Sequence, residues 1–344
     1  MAKLTAHPAS QRQIDRGTLS LRVMRAGFRT LRRLSRPAAV AVLTRLFVTP
    51  RRHAAPARER AVLALGALEF VPLRGRRVAL WRYQPVPGDL SPGLPARAEP
   101  SEQGPWPEPW PSPEQGPSPE QGPSPPVVLL VHGWEGRGSQ LGAFVAPLRA
   151  RGFEVALFDH VGHGASEGKR CSLIAMRDTV EELARHLGAA RIAGVVAHSM
   201  GSAATTLAAD GGAFSGGPDW PRCVYVAPPY DLVRYFGHYL ELVVGDRQLL
   251  PDMLRRMERR FGAKVEDLHY DNVLPRRNEP LLVLHSTDDL DVTEEAGRAV
   301  AARWPGAVFE PFTGLGHRRI LRDDQVVARG VAFLAPAALP RPSR

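Results

Sequence analysis

Short apolar runs separated by longer helical segments are the feature of this chain that most restricts its fold. Three of them, Val127–Val131, Ile192–Val196 and Pro280–His285, are almost entirely apolar. Runs of this length without alternation are typical of strands buried on both faces of a parallel sheet, and the segments between them predict helices that cover those faces. With 344 residues and 44% hydrophobic content, the chain is long enough to build one large core around such a sheet.

The predicted elements begin with the strand Arg77–Tyr83 and end with a helix over Asp324–Leu334. Besides the three apolar runs, strands are predicted at Gly152–Phe158, Cys223–Val226 and Ala307–Phe312. Helices are predicted at Gln140–Arg151, Leu173–Leu187, Met200–Ala209 and Glu294–Trp304.

The segment Ala197-His198-Ser199-Met200-Gly201 directly follows the run Ile192–Val196. A tight turn from a strand into a helix needs small residues two positions before and two after a central serine, whose hydroxyl then projects from the turn. Ala197 and Gly201 are those residues, with Ala197 standing where glycine is the commoner choice. Ser199 is therefore a candidate nucleophile, and the alternative is a serine that only caps the following helix.

A serine nucleophile needs a base, and the base needs an acid that orients it. Three aspartates follow the strand run Pro280–His285, at positions Asp288, Asp289 and Asp291. His317 follows the last predicted strand in the loop Thr313-Gly314-Leu315-Gly316 and is the candidate base. The chain order Ser, Asp, His is one of three well-known orders of serine hydrolase triads.

An oxyanion hole, formed by backbone N–H groups where negative charge develops, is the fourth part of such a site. The run Val127–Val131 ends in His132-Gly133-Trp134, which places an N–H group at the end of a strand. Trp134 N–H and Met200 N–H, the latter on the first turn of the helix after Ser199, are the predicted donors.

The motifs His132-Gly133-Trp134, Asp159–Gly168 and Ala197–Gly201, in this order, resemble those of the α/β-hydrolase superfamily. The stretch Asp159–Gly168 is particularly similar to the monoacylglycerol lipase and serine aminopeptidase-like branch. The later stretch Gly314–Leu321 instead resembles a bacterial group of α/β-hydrolases with largely undefined substrates. The resemblance covers about Arg76 to Ala335 and implies an α/β-hydrolase fold, which is a mostly parallel sheet with helices on both faces and a short helical cap.

The resemblance implies Ser199 as nucleophile, His317 as base, and Trp134 and Met200 as oxyanion donors. It also implies a triad acid in a His-Gly-x-x-Asp pattern, which selects Asp289, with Ser286 in the glycine position and Asp288 and Asp291 as rivals. The resemblance also implies that His132, Gly133, His198 and Gly201 are supporting residues of the site.

The function predicted from these residues is hydrolysis of a carboxylic ester with a small or medium acyl group through an acyl-enzyme, as in lipases and esterases. Amide or peptide cleavage, thioester cleavage and a non-catalytic receptor on the same fold are the alternatives. Dehalogenases and epoxide hydrolases carry aspartate where this chain has Ser199. No cofactor is expected. No metal is expected either, because the histidines near the strand ends lack ligand spacing and are typical of loop-bonding residues; these are His132, His160, His163 and His198.

An insertion at residues 228–279 is the predicted cap within the hydrolase domain, which spans residues 61–83 and 127–337. Its aromatic residues either line a substrate pocket or pack the cap onto the body; they include Tyr230, Tyr235, Phe236 and Tyr239, followed by Leu240. A cap of this length favours a small-molecule substrate over a polymer.

Residues 1–60 form a basic helical segment, since they hold 14 of the 45 Lys and Arg residues but 2 of the 35 Asp and Glu residues. Apolar residues recur there at helical spacing, at Leu21, Met24, Phe28, Leu31 and Leu34. Such a helix either packs on the hydrolase body or lies on an anionic membrane surface, which would make the protein peripherally membrane-associated. No recognition motif accompanies the basic charge, so nucleic acid is not an expected partner.

Residues 84–126 contain the hexapeptide Ser-Pro-Glu-Gln-Gly-Pro twice, starting at Ser112 and at Ser118. Proline at this density predicts a disordered or polyproline II insertion, and residues 338–344 a disordered tail. Without a signal peptide or membrane span in the sequence, a cytoplasmic location is expected. Cys171 and Cys223 are not expected to pair, and the sequence does not indicate an oligomeric state.

Overall fold

The computed structural model describes residues 22–86, 124–215, 221–245, 247–262, 264, 270–274 and 277–335. The predictions for most of the proline-rich insertion and for the C-terminal tail lie outside these residues. The chain divides into a larger unit, Pro50–Tyr230 with Tyr270–Arg344, and a smaller unit, Met1–Thr49 with Asp231–His269.

The larger unit is built on an eight-stranded sheet of order β1-β2-β4-β3-β5-β6-β7-β8. Its strands are β1 (Ala67–Leu73), β2 (Arg76–Tyr83), β3 (Val127–Val131), β4 (Glu154–Phe158), β5 (Ile192–His198), β6 (Arg222–Val226), β7 (Leu281–Ser286) and β8 (Val308–Phe312). The pairs β1–β2 and β2–β4 are antiparallel, and all other neighbouring strands are parallel. The predicted mostly parallel α/β sheet is confirmed.

Strand β1 was not among the predicted strands. It lies at the sheet edge with most of its residues exposed or half-buried, so it lacks the continuous apolar run of a central strand. It is joined to β2 by Arg74 and Gly75, which both have positive φ. This is the backbone of a two-residue hairpin turn, but Arg-Gly is not one of the residue pairs that usually indicate one.

The helices are α1 (residues 22–34), α2 (Arg36–Phe47), α3 (Ala57–Ala64), α4 (Val145–Ala150), α5 (Leu173–Leu187), α6 (Met200–Asp210), α7 (Leu232–Val244), α8 (Leu250–Phe261), α9 (Tyr270–Val273), α10 (Glu294–Arg303), α11 (Gly316–Arg319) and α12 (Asp324–Leu334). The predicted helix Gln140–Arg151 is instead a 3₁₀ segment, Gly138–Phe144, followed by α4. Gly138 explains the tighter start, because its N–H is bonded to Asp159 and a Cβ there would lie 2.4 Å from the Phe158 carbonyl oxygen.

The parallel strands bring the predicted site motifs to one edge of the sheet. The oxyanion segment follows β3, Ser199 follows β5, the aspartates follow β7 and His317 follows β8. Because carboxyl ends of parallel strands share an edge, four motifs distant in sequence become neighbours. The strands β3, β5, β6 and β7 are buried at every residue, which fixes this edge rigidly.

The smaller unit contains the basic helix α1 together with α2, α7 and α8. Arg25 bonds the Glu241 carbonyl oxygen at 3.4 Å, and Arg36 pairs with Asp252 at 2.6 Å. Phe47 packs edge-on against Phe236 with ring centroids 4.9 Å apart. The predicted packing of the basic segment is therefore made with the helices of residues 231–269, and its contact with a membrane stays a prediction.

Within the described residues, helices long and apolar enough to cross a bilayer are absent. Cys171 and Cys223 are both buried and free. Burial raises the pKa of the Cys171 thiol to about 12 and that of the Cys223 thiol still further, so neither is a reactive thiolate near neutral pH.

Candidate active site

Ser199 occupies a strained turn between β5 and α6, with φ 50° and ψ −126°. Residues with a Cβ rarely adopt such a backbone, and where they do it is most often at a functional site. The turn is held by Ser199 N–H, which donates to the Val226 carbonyl oxygen at 2.9 Å, and by Ser202, whose hydroxyl donates to the Ser199 carbonyl oxygen at 2.6 Å. The serine is thus fixed at the strand end and not merely placed as a helix cap.

Gly201 in this turn and Gly133 in the neighbouring segment after β3 leave little room for a Cβ. A Cβ on Gly201 would lie 2.5 Å from the His132 carbonyl oxygen and 2.7 Å from that of Val131. A Cβ on Gly133 would lie 3.0 Å from Ser199 Cβ. The supporting roles predicted for these two glycines follow from the close approach of the β3 and β5 strand ends.

Asp289 and His317 form the central hydrogen bond of the site, with His317 Nδ1 2.7 Å from Asp289 Oδ2. The other carboxylate oxygen of Asp289 accepts N–H bonds from Asp291 and Val292, both at 2.9 Å. The carboxylate is buried, whereas the imidazole is 11% exposed. Asp289 therefore orients His317, and Asp291 contributes only its backbone to the arrangement.

Asp288, the neighbouring rival, has a different set of partners. Its Oδ1 accepts bonds from Ser286 Oγ at 2.5 Å, Gly314 N at 3.0 Å and Gly316 N at 3.2 Å. These bonds lower the pKa of Asp288 although partial burial acts in the opposite direction. Asp288 thus holds the backbone of the histidine loop.

Ser286 explains why a side chain is accommodated where the family pattern has glycine. Its hydroxyl accepts N–H bonds from Leu315 at 3.2 Å and Gly316 at 3.0 Å while donating to Asp288. The serine is part of the same loop support. Sequence reasoning treated it only as a departure from the pattern.

His198 connects the serine turn to the histidine loop. Its Nε2 donates to the His317 carbonyl oxygen at 2.9 Å, and the two rings lie 4.6 Å apart. Ser199 Oγ and the His317 imidazole form no hydrogen bond among the contacts of the described residues. Catalytic bonds of this kind often tighten only when substrate binds.

The oxyanion segment His132–Gly136 is held by buried histidines. His132 Nε2 accepts the His160 N–H at 2.9 Å while its Nδ1 donates to the Gly133 carbonyl oxygen at 2.7 Å. His163 Nε2 accepts the Glu135 N–H at 3.2 Å, next to the predicted donor Trp134, and Glu135 has φ 53°. Each of these rings bonds as a neutral imidazole with one donor and one acceptor nitrogen.

Burial lowers the pKa of these histidines strongly. The value falls to about 4 for His132 and about 3 for His163, and it lies well below the ordinary range for His160 and His198. Because their folded pKa lies below the unfolded value, these groups stabilise the fold above pH 6.5 and cease to do so as pH falls.

We therefore expect the free energy of unfolding to drop by about 2 kcal/mol for each of these histidines between pH 7 and pH 5. The check is urea unfolding of the wild type and of His163→Asn across this range. The free energy of unfolding should change with pH less steeply in His163→Asn than in the wild type, by about 1.4 kcal/mol per pH unit. Replacing the exposed His53 by asparagine is the matched control. Equal slopes for the wild type and His163→Asn would contradict the assignment.

A second support of the oxyanion segment comes from a part of the chain that sequence reasoning assigned to the basic helical segment. Arg52 donates to four carbonyl oxygens of the loop after β4: Gly162 at 3.0 Å, Gly164 at 3.2 Å, Ser166 at 2.7 Å and Gly168 at 2.7 Å. Arg51 pairs with Glu135, its Nη2 lying 3.1 Å from Oε2. Both arginines belong to the larger unit. Their supporting role could not be recognised from the sequence, because they lie within a segment that contains many basic residues.

Replacing Arg52 with alanine should slow the reaction of Ser199 with a fluorophosphonate probe by roughly tenfold, because four carbonyl groups lose a charged donor and the loop carrying His163 loosens. The measurement is the rate of labelling by a fluorophosphonate probe, together with the urea midpoint. Arg52→Lys should recover part of the rate since it keeps the charge with fewer donors. Arg60→Ala, which removes an exposed arginine bonded to the Ala55 carbonyl oxygen, is the control; the same rate in all variants would contradict this role.

Asp159 ties the loop after β4 to the 3₁₀ segment, through bonds from Gly138 N–H at 2.8 Å and Ala165 N–H at 2.7 Å. His160 is buried with both ring nitrogens unpartnered among the described residues. In the part of the chain that the structure describes, histidine, cysteine and acidic side chains form no group able to hold a metal ion.

The sequence was compared with family models and with curated proteins. A family model described as "Serine aminopeptidase, S33" matches residues 122–279, a range that includes Ser199 but ends before Asp289 and His317. A search of curated proteins found no match.

Similar solved structures include an esterase of Pyrococcus furiosus, with TM-score 0.53, 14% identity, and coverage of 83% of this chain and 96% of that one. Est1E of Butyrivibrio proteoclasticus with bound ferulic acid is similar at TM-score 0.51 and 16% identity, covering 77% of this chain and 96% of the other. At these identities the likeness is one of fold.

Proposed function

Because the chain has an α/β-hydrolase fold, we propose that it is a serine hydrolase that cleaves a carboxylic ester through an acyl-enzyme intermediate. The observation that carries this proposal is the bond between His317 and the buried Asp289 carboxylate, located beside the strained turn that presents Ser199. A serine that only capped α6 would need neither the strain nor a histidine held by a carboxylate from the loop after β7.

In the proposed acylation step, His317 Nε2 takes the proton of Ser199 Oγ, and Oγ attacks the carbonyl carbon of the ester. The carbonyl oxygen becomes an oxyanion, which the N–H groups of Trp134 and Met200 stabilise. Asp289 stabilises the imidazolium and keeps Nδ1 protonated. The imidazolium then protonates the departing alcohol as the ester C–O bond breaks.

Deacylation repeats the sequence with water as the nucleophile. His317 removes a proton from water, the hydroxide attacks the acyl carbon, and the oxyanion collapses with release of the acid and return of the proton to Ser199. A small or medium acyl group remains part of the proposal on the basis of the short predicted cap.

Amide or peptide cleavage is the second candidate, and the match to the serine aminopeptidase family model favours it. It uses the same residues with an amine as the leaving group. Thioester cleavage differs again only in its leaving group, so substrate kinetics must separate the three.

The experiment that tests the proposal is labelling of the purified full chain with a fluorophosphonate probe, followed by turnover of p-nitrophenyl esters from acetate to palmitate. Matched aminoacyl p-nitroanilides and acyl thioesters are assayed in parallel. We expect labelling at Ser199 and turnover that peaks at one acyl length. Faster turnover of anilides or thioesters would replace the ester assignment, and a well-folded protein that neither labels nor turns over any substrate would favour a receptor.

A further inference from the structure

A cavity of about 350 Å³ lies in the larger unit, between α3, the 3₁₀ segment Gly138–Phe144 and the 3₁₀ turn Ile320–Arg322. Its apolar lining includes Val62, Ala143 and Leu321. Four arginines line it: Arg137, which is half-buried, and Arg58, Arg318 and Arg322, which are exposed. The cavity is thus apolar in part and carries positive charge from three separate elements.

Glu59 is the carboxylate among the residues that line this cavity, and its charge is already compensated. It is buried and accepts bonds from Arg137 Nε at 2.5 Å, Arg137 Nη2 at 3.0 Å and Ser139 Oγ at 2.7 Å. The nearby Asp323 carboxylate accepts the N–H groups of Gln325 and Val326 at the start of α12.

The guanidinium groups of Arg58, Arg318 and Arg322, in contrast, make no hydrogen bond or ion pair with any residue that the structure describes. A single exposed arginine is ordinarily hydrated, and its presence alone indicates nothing. Here three guanidinium groups from three elements border one concavity, and guanidinium forks match carboxylate and phosphate oxygens in charge and geometry. Because Glu59 is already paired with Arg137, the described lining of the cavity carries an excess of positive charge.

The cavity borders two segments of the candidate active site. Arg318 directly follows His317 in α11. Gln140, another lining residue, has its Oε1 only 2.7 Å from the position that a Cβ on Gly136 would take, at the end of the oxyanion segment. An anion bound by Arg318 would therefore be held by the residue that follows the proposed catalytic base in α11.

We propose that this cavity binds a small anion through a carboxylate or phosphate group. The group is carried either by the substrate or by a separate ligand, and the first form rests on the proposed hydrolase function. In either form Arg318 and Arg322 hold the anion oxygens, with Arg58 closing the opposite wall.

Binding is tested by calorimetric titration of the full chain with inorganic phosphate and with succinate, at constant ionic strength set with chloride. We expect saturable binding that is about tenfold weaker for each arginine removed, in Arg318→Gln, Arg322→Gln and the double variant. Arg58→Gln gives a second, independent test from α3. The control is Arg185→Gln, which removes an exposed charge from α5 and should leave binding unchanged. Absence of saturable binding, or equal binding by the wild type and the double variant, would overturn the proposal.

Kinetics then distinguish the two sources of the anion. Mono-p-nitrophenyl succinate is compared with p-nitrophenyl butyrate, which has a neutral acyl chain of the same length. A substrate-borne anion predicts a preference for the succinate ester that the double variant loses while its butyrate turnover is retained. A separate ligand predicts that phosphate changes turnover of both esters by one factor, and only in protein that keeps the arginines. If neither ester is turned over but phosphate binding depends on the arginines, the hydrolase proposal fails and the anion site stands.

Discussion

Replacing Ser199 with alanine is expected to abolish fluorophosphonate labelling and to lower kcat by about 10⁶-fold, because triad members act as a unit and the loss of the nucleophile removes the covalent route. The fold should persist, since the turn is held by backbone bonds and by Ser202, not by the Ser199 hydroxyl. The measurement is single-turnover kinetics on the best p-nitrophenyl ester, with labelling followed by mass spectrometry of the modified peptide.

The matched control is Ser215→Ala, which removes an exposed hydroxyl that bonds only the local Gly212 carbonyl oxygen. It should retain wild-type labelling and turnover. Undiminished labelling of Ser199→Ala would show that the probe reacts elsewhere and would refute the assignment of the nucleophile.

Because the backbone of Ser199 is strained, substitutions at this position should also change the stability of the protein. Glycine adopts positive φ without the cost that a Cβ imposes, so Ser199→Gly should stabilise the protein by about 1 to 3 kcal/mol while remaining inactive. Ser199→Ala keeps the Cβ and should not show this gain. Urea midpoints of the two variants separate the backbone effect from the loss of the hydroxyl.

The second large loss of activity is expected at the proposed triad acid. Asp288 and Asp289 are adjacent, so the same Asp→Asn substitution can be made at both and the losses compared. Asp289→Asn should lower kcat by about 10⁴-fold, because an amide in place of the carboxylate bonded to His317 Nδ1 favours the wrong tautomer and no longer stabilises the imidazolium. Asp288→Asn leaves that bond in place and should lower kcat by less than about tenfold, since its amide oxygen still accepts bonds from the histidine loop.

Steady-state kinetics of both variants across pH provide the measurement, with circular dichroism to establish folding. The larger loss in Asp288→Asn would transfer the role of acid to that residue. A double variant that is no slower than Asp289→Asn alone would agree with the smaller, supporting role of Asp288.

Much of the fold could be predicted because the relevant signals are local. A fully apolar run such as Val127–Val131 indicates a buried strand from its own residues, and the predicted bounds of α5 and α12 agree with those observed. The edge strand β1 was not predicted from the sequence, because it is half-exposed and depends on pairing with β2 for its conformation. The helix predicted to begin at Gln140 begins instead as a 3₁₀ segment at Gly138. The Gly138 N–H donates to the Asp159 carboxylate, which lies 21 residues away in the sequence.

By itself the sequence determined the fold class and the order of Ser199, the aspartates and His317, because strand burial and the steric needs of a tight turn are encoded within a few consecutive residues. The residues alone left Asp288, Asp289 and Asp291 open, and the family resemblance favoured Asp289. Only the tertiary structure decided which carboxylate contacts His317, because Asp288 and Asp289 are adjacent in sequence and bond different groups. It alone assigned Arg52 to a loop 110 residues away. Side-chain direction and long-range contact depend on packing between elements, and a short stretch of sequence carries no record of its distant neighbours.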